Sequence, residues 1–196
     1  MGLKTRAPFS INRNNMGKTC LAKLQNSISV GCTIPTHGVK DIYLMHAEDV
    51  SLTIDTYDRV SVASFAGGAK SYRIEGYKQN IQVTSAVRTM DASNKLDMTI
   101  MFKIPTSVNG ITENFPFLKS LLTGKFYALV VTGPSGFYLV GDVSPLECSG
   151  MDYDSNANGG FATATLTAPD GSAGNYMRYV AQSVVSTIIS KSAKSA

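Results

Sequence analysis

The feature that most constrains the fold is a pair of apolar runs separated by a turn sequence. Phe126–Thr132 and Phe137–Asp142 flank Gly133-Pro134-Ser135-Gly136, which predicts that the two runs pair as a β-hairpin. A polar loop rich in Asn, Asp and Gly follows, and then the alternating run Phe161–Thr167, which predicts another strand. A long loop between strands, with no nucleophile or metal-ligand set beside it, favours a scaffold over catalysis.

Further runs of the same type predict that the chain is built mainly of short strands. In Leu96–Ile104 every second residue is apolar, so one face of this strand should be buried, and Pro105 should end it. Gly67-Gly68 is a hairpin-turn signal, and Asp91–Lys95 reads as a turn between strands. The other predicted strands are Val39–Met45, Ser51–Tyr57, Arg59–Phe65, Tyr72–Tyr77 and Asn80–Thr89.

One helix is predicted, from about Asn114 to Leu122, with Asn114 as its cap and Leu118, Leu121 and Leu122 on one apolar face. The β-branched run Tyr179–Ile189 predicts a last strand, or an arm that adds to a neighbouring sheet.

The expected fold class is therefore mainly β: an antiparallel sandwich or partly open barrel with one short flanking helix and extended terminal arms. The length of 196 residues suits one domain with arms. We expect an N-terminal basic arm over residues 1–20, a single β-rich domain over 21–178, and a C-terminal strand or arm over 179–196.

The charge distribution separates the two ends of the chain from its middle. Met1–Lys40 holds six basic residues and no acid, and the residues after Asp170 add three more basic residues and no acid. Asp41–Met177 holds nine basic residues against fourteen acids. The ends could be solvated tails, or they could bind the acidic middle of a neighbouring copy or nucleic acid. We favour the neighbouring copy, because the basic residues are spaced out and few aromatics lie between them.

This reading defines a set of candidate subunit contacts, which includes two acids of the polar loop. They are Lys4, Arg6, Arg13, Lys18, Asp152, Asp154, Arg178, Lys191 and Lys194.

The polar loop also contains a partial calcium-binding pattern. Asp154, Asn156 and Asn158 precede Gly159 with the spacing of a calcium loop, but the twelfth position is Thr165, where a bidentate Glu belongs. Asp, Asn and Gly also serve turn geometry alone, so a polar turn is the favoured interpretation. We therefore predict neither a metal nor a cofactor.

The other residues that could bind a ligand or take part in catalysis form no catalytic set. Gly17-Lys18-Thr19 resembles the end of a phosphate-binding loop, but no strand precedes it and Asn12 replaces the first glycine. His37 and His46 lack a nucleophile motif nearby, so no enzymatic activity is expected. Most of the aromatic residues lie inside β-type runs, which favours core packing over sugar binding.

The three cysteines and the length of the apolar runs indicate the cellular compartment in which the protein is made. Cys20, Cys32 and Cys148 are an odd number at irregular spacing, so they predict reduced thiols and neither a disulfide framework nor a zinc site. The N-terminus lacks the apolar core of a signal peptide, and no apolar run approaches the length of a membrane span. We expect synthesis in a cytosol and no membrane partner.

Four stretches carry a resemblance to a known family. They are Val39-Lys40-Asp41-Ile42-Tyr43-Leu44-Met45, Ser71-Tyr72-Arg73-Ile74-Glu75-Gly76, Pro145-Leu146-Glu147-Cys148-Ser149-Gly150, and Thr163-Ala164-Thr165-Leu166-Thr167. In order and pattern, Val39 to Val180 resembles the small structural proteins of tailed bacteriophages, especially the ring and tube proteins of crAss-like phages.

The resemblance implies two packed sheets, a flanking helix, and loops or arms that reach adjacent subunits. It further implies a virion protein of the tail or neck, assembled in the host cytoplasm, whose copies form a closed ring or tube segment. The implied partners are other copies, other tail, neck or portal-proximal proteins, and DNA that passes through the lumen non-specifically. The alternative class is a ligand-binding β-sandwich, with or without calcium, on a fibre or capsid surface.

Overall fold

A computed structural model describes residues 38–76, 79–89, 94–105, 116–133, 136–153 and 161–193. Strands make up more than half of these residues, and every paired strand is antiparallel to its neighbour. All described residues belong to one compact unit, Thr36–Ala196. The mainly β, sandwich-like fold with a flanking helix is thus confirmed.

The strands, in chain order, are β1 Asp41–His46, β2 Val50–Ile54, β3 Val60–Phe65, β4 Ser71–Glu75, β5 Ile81–Thr89, β6 Asn94–Pro105, β7 Phe126–Thr132, β8 Gly136–Val140, β9 Glu147–Tyr153, β10 Phe161–Thr167 and β11 Arg178–Tyr179. The helical elements are a 3-10 turn at Ala47–Asp49, helix α1 over residues 116–121, and helix α2 at Gln182–Ser190.

Two sheets face each other across the main core. The five-stranded sheet has the order β11-β8-β7-β1-β4, and the four-stranded sheet has the order β5-β6-β10-β9. Alternate residues of the central strands, such as Ile42 of β1 and Ile100 of β6, point into the space between the sheets. Leu118 and Leu121 of α1 join this core, so the helix covers part of it.

A second core lies on the opposite face of the five-stranded sheet. Tyr43 and Met45 of β1 pack there with Leu129 of β7, against the two-stranded hairpin β2–β3 and against α2. β1 and β7 are therefore buried on both faces, which explains why their sequences are nearly continuous apolar runs.

Several sequence predictions are confirmed residue by residue. β7 pairs with β8 as the predicted hairpin, with Thr132 opposite Gly136. The predicted strand Phe161–Thr167 is β10, and in β6 the buried residues Met98 and Ile100 lie on the predicted face.

Two predictions around turns and helix faces are wrong. Gly67-Gly68 does form a turn, but the strands it joins, β3 and β4, belong to different sheets and do not pair. Leu122 lies after the last helical residue and is 59% exposed, so only Leu118 and Leu121 bury α1. Asn114, the predicted cap, lies outside the described residues.

The C-terminal prediction of a strand or arm is also wrong, because Gln182–Ser190 is a helix packed on the second core. Val184, Val185 and Ile188 share one helical face and are buried. The hydroxyls of Ser186 and Thr187 donate to carbonyls one turn earlier, which satisfies them within the helix. Burial of the apolar face outweighs the modest helix propensity of Val, Ile, Ser and Thr.

The segment after β8 was predicted as a polar loop, yet Glu147–Tyr153 forms strand β9 along β10. Its sequence lacks the β-branched residues that mark strands, and its pairing comes from the backbone of β10.

The packing of α2 predicts a contrast between two neighbouring residues. Ile188→Ala should lower the free energy of unfolding by about 2–5 kcal/mol, because it leaves a cavity in the second core. Ile189→Ala, at an exposed position, should change it by less than about 1 kcal/mol. Urea denaturation of both variants measures the difference, and equal losses would show that α2 does not pack through Ile188.

Candidate assembly surface

The two outer strands of the four-stranded sheet form the surface most suited to pairing with another chain. β5 and β9 lie at opposite edges of this sheet, and neither has a strand partner on its outer side within the described ranges. An outer strand presents backbone N–H and C=O groups that can pair with a further strand. The sheet therefore has two edges that can bind a strand, one at each side.

The hairpin of β5 and β6 continues beyond the main core. The pair runs from Ile81 opposite Phe102 to Thr89 opposite Asn94. Ile81 is buried, but Val87, which lies in the same row of side chains, is 67% exposed. All residues of β5 from Thr84 onward are exposed, so this half of the edge strand is open on both of its faces.

β9 carries apolar side chains that no described residue covers fully. Met151 and Tyr153 lie opposite Ala164 and Ala162, on the side of the sheet that faces the main core, and they are 36% and 55% exposed. A bulge places Ser149 as an extra residue between Cys148 and Gly150. The core-facing row of this sheet thus ends in exposed apolar groups at β5 and at β9.

The charged side chains near the end of the β5–β6 hairpin pair with one another. Arg88 Nε lies 2.8 Å from Asp97 Oδ2, without a well-aligned hydrogen bond, and Lys95 Nζ lies 3.2 Å from Asp97 Oδ1. Together with Asp170 and Thr99 these residues line a cleft of about 60 Å³. A cleft of this size has room for a few water molecules, and the pairing makes it nearly neutral.

A buried ion pair holds the start of the C-terminal segment against the body. Arg178 Nε donates a 2.6 Å hydrogen bond to Asp142 Oδ2, and the two side chains are only 4% and 2% exposed. Arg178 also pairs with Asp58, donates to the Tyr176 hydroxyl at 2.7 Å, and stacks over the Tyr176 ring. Asp142 Oδ1 is buried without a hydrogen-bond partner among the described residues.

Burial removes water from the Asp142 and Arg178 side chains, and this desolvation disfavours the charged form of each. Burial raises the pKa of Asp142, although backbone N–H groups at residues 142 and 143 act in the other direction. Burial also lowers the pKa of Arg178. The pair is therefore held by its hydrogen bonds and mutual attraction against a desolvation cost, so the removal of one partner should leave a costly buried charge.

Local sequence features place the two acids around Arg178. Gly141 has φ +100°, and a Cβ there would lie 2.8 Å from the Phe126 carbonyl oxygen, so only glycine fits the turn that presents Asp142. Asp58 itself has φ +60°. It lies within a turn in which Asp55 Oδ1 accepts hydrogen bonds from the backbone N–H groups of Tyr57 and Arg59.

Buried Asn175 holds in place the segment before Arg178, which has no regular secondary structure over residues 173–177. Asn175 is fully buried, its Oδ1 accepts from the Ser144 N–H at 3.0 Å, and its Nδ2 donates to the Ser144 carbonyl at 2.7 Å. The amide side chain thus pairs with both backbone groups of one residue. The Asn175 N–H in turn donates to the Leu96 carbonyl of β6, so the segment is joined both to the β8–β9 connection and to the four-stranded sheet.

The predicted subunit contacts are not brought together by the described structure. Asp152 lies exposed on β9, and Lys191 lies exposed at the end of α2. Arg178 is buried in its own chain, so its position does not support a contact with another subunit. Lys4, Arg6, Arg13, Lys18, Asp154 and Lys194 lie outside the described residues.

The described residues contain no group of three or more His, Cys, Asp or Glu side chains that could hold a metal ion. His46 packs against the rings of Tyr72 and Phe126, with ring centroids 5.9 and 5.0 Å away. Cys148 is a half-buried free thiol. The calcium pattern (Asp154, Asn156, Asn158), Gly17-Lys18-Thr19, His37, Cys20 and Cys32 lie outside the described residues, so the calcium alternative stays a prediction.

No helix in the described part of the chain is long and apolar enough to cross a membrane. Comparisons with protein-family models, with curated proteins and with solved structures found no match for this chain.

Sequence reasoning missed the roles of Asp142, Asn175 and the edge residues Met151 and Val87. Gly141-Asp142 stands at the end of the predicted run Phe137–Asp142, and a glycine that must adopt positive φ before an acid is a usable signal of a specific turn. Asn175 gave no signal, because its partner Ser144 is 31 residues away.

The buried ion pair predicts a large and pH-dependent loss of stability. Arg178→Met should lower the free energy of unfolding by about 3–5 kcal/mol, because Asp142 stays buried without its cation. The pKa of Asp142 should then rise further, so the folded state takes up a proton more readily than the unfolded state. The loss should consequently be smaller near pH 5 than near pH 8.

Urea denaturation at both pH values measures this effect. Arg178→Met combined with Asp142→Asn should recover part of the loss and remove its pH dependence. Lys125→Met breaks the exposed pair with Glu147 and should cost less than about 1 kcal/mol. A loss for Arg178→Met as small as that control would contradict the role of the buried pair.

Proposed function

We propose that this protein is a virion structural protein of a tailed bacteriophage, which oligomerises into a ring or tube segment of the tail or neck. In this role it forms part of a conduit for DNA, and its partners are other copies and adjoining tail, neck or portal-proximal proteins. It is assembled in the host cytoplasm and has no catalytic activity. The resemblance over Val39 to Val180 and the sandwich-like fold support this proposal.

The observation that carries the proposal is that both outer strands of one sheet lack a further strand partner within the described ranges. β5 and β9 are different strands at opposite sides of the four-stranded sheet. Pairing of β5 in one copy with β9 in the next is therefore a head-to-tail contact, which leaves one open edge at each end of the assembly. When this contact repeats about an axis and the ring closes, the last two free edges pair with each other.

The side chains at the two edges suit this contact. Val87 on β5 and Met151 and Tyr153 on β9 lie on the same face of the sheet, where an added strand would cover them. Their burial would add apolar contact area to the backbone hydrogen bonds of the new strand pair. The charge contrast between the basic ends and the acidic middle would add attraction between copies.

The edge contact is tested by placing charge on both edges. Val87→Lys combined with Met151→Lys should abolish ring formation, because a lysine on an edge strand disfavours further pairing and both side chains would be buried in the contact. Both positions are exposed in the single chain, so the melting temperature should change little. Light scattering for mass and negative-stain microscopy on the same fraction read the result.

Leu122→Lys is the matched control, since the exposure of Leu122 lies between those of Met151 and Val87 and the residue lies outside the two edge strands. It should keep the wild-type mass and the wild-type rings. The proposal fails if the wild-type protein stays monomeric at high concentration and forms no rings with its neighbouring virion proteins. The edge assignment alone fails if the double variant still forms wild-type rings.

A further inference from the structure

The five-stranded sheet differs from the four-stranded sheet in what pairs with its outer strands. Without β11, the outer strands of the five-stranded sheet would be β8 on one side and β4 on the other. The same C-terminal segment, Arg178–Ala193, which we call the C-terminal cap, contacts both of these strands.

At the β8 edge the cap begins as strand β11. Arg178 and Tyr179 pair with Leu139 and Tyr138, and the Val180 N–H donates to the Phe137 carbonyl at 3.2 Å. The Ala181 N–H then donates to the Val60 carbonyl of β3 at 3.0 Å. The outer side of this short strand is thereby joined to the β2–β3 hairpin and is closed to a further strand.

At the β4 edge the cap ends in a second backbone pairing. The Ser71 N–H donates to the Lys191 carbonyl at 3.1 Å, and the Ala193 N–H donates to the Ser71 carbonyl at 2.8 Å. The Ser71 hydroxyl also donates to the Ile188 carbonyl at 2.7 Å and is buried. Between these two ends, α2 crosses the second core through Val184, Val185 and Ile188.

The buried ion pair fixes the register of the cap. A shift of β11 by one residue along β8 would move Arg178 away from Asp142 and would bury Tyr179 in its place. An inward-pointing charge on a short edge strand is also a known way in which proteins prevent unwanted strand addition. The Arg178–Asp142 pair thus favours one closed position of the cap.

We propose that the C-terminal cap confines strand pairing between copies to the edges of the four-stranded sheet. This inference rests on the proposed assembly function. With the cap in place, β8 is paired with β11 and β4 is paired at Ser71, while β5 and β9 have no strand on their outer side within the described ranges. Without it, the outer backbone groups of β8 and of Ser71 become available, and copies join through a second, incorrect contact.

Two truncations that differ by three residues test the cap. A chain that ends at Ser190 loses the Lys191 carbonyl and the Ala193 N–H that pair with Ser71, but it keeps the buried residues of α2. A chain that ends at Ala193 keeps both groups and serves as the matched control. Each chain also carries Lys70→Cys as the probe beside Ser71, with Cys20, Cys32 and Cys148 replaced by alanine.

We expect the chain that ends at Ser190 to form disulfide-linked pairs through residue 70 under mild oxidation, severalfold more than the control. Its mass by light scattering should also exceed that of the control. Equal cross-linking and equal mass, with both chains folded by circular dichroism, would overturn the inference.

If the chain that ends at Ser190 does not fold, the full-length variant Ala193→Pro takes its place. It removes only the N–H that donates to the Ser71 carbonyl, and the same two outcomes apply. Ring formation by the wild-type protein tests the proposed function, whereas the difference at residue 70 tests the cap. The two proposals can therefore fail separately.

Discussion

The burial of the five-stranded sheet on both faces is the constraint from which the other layers follow. Ile42 and Leu44 of β1 face one core, and Tyr43 and Met45 face the other. A sheet that is apolar on both sides must be covered on both sides, because each exposed face would leave large apolar groups in water. The four-stranded sheet and α1 cover one face, and the β2–β3 hairpin with α2 covers the other. The C-terminal segment is thus part of the folded body.

The main strands could be predicted from the sequence because each carries a complete local signal. The β7–β8 hairpin has apolar runs on both sides of a glycine-rich turn. In β6 every second residue from Leu96 to Ile104 is apolar, and these residues form its core-facing side. In contrast, α2 is rich in Val, Ile and Thr, which predicts a strand, and its helical form depends on a core built by residues far away in sequence. β9 lacks apolar alternation and is defined by the β10 backbone. Local signals failed where tertiary contacts decide the structure.

The candidate surface was harder to predict than the fold, for a related reason. Charge patterning selected Arg178 as a surface contact because it lies in a basic stretch, yet its position is set by Asp142, 36 residues earlier. Only a folded chain shows that this charge is used internally. Likewise, whether a strand is central or at an edge depends on the order of strands in the sheet, which neither alternation nor composition reveals.

The outer strands of the two sheets differ in whether another segment of the described chain pairs with them. This difference has a physical interpretation. Nature commonly shortens, charges or covers an edge strand, since an open edge invites pairing. Here one segment pairs with β8 at one edge of the five-stranded sheet and with Ser71 of β4 at the other, and it contains a buried ion pair that carries a desolvation cost. β5, by comparison, is nine residues long and exposes Val87, while β9 exposes Met151 and Tyr153. Within the described ranges, the outer strands of the four-stranded sheet have no such covering segment, and this difference supports the proposed pairing of copies through β5 and β9.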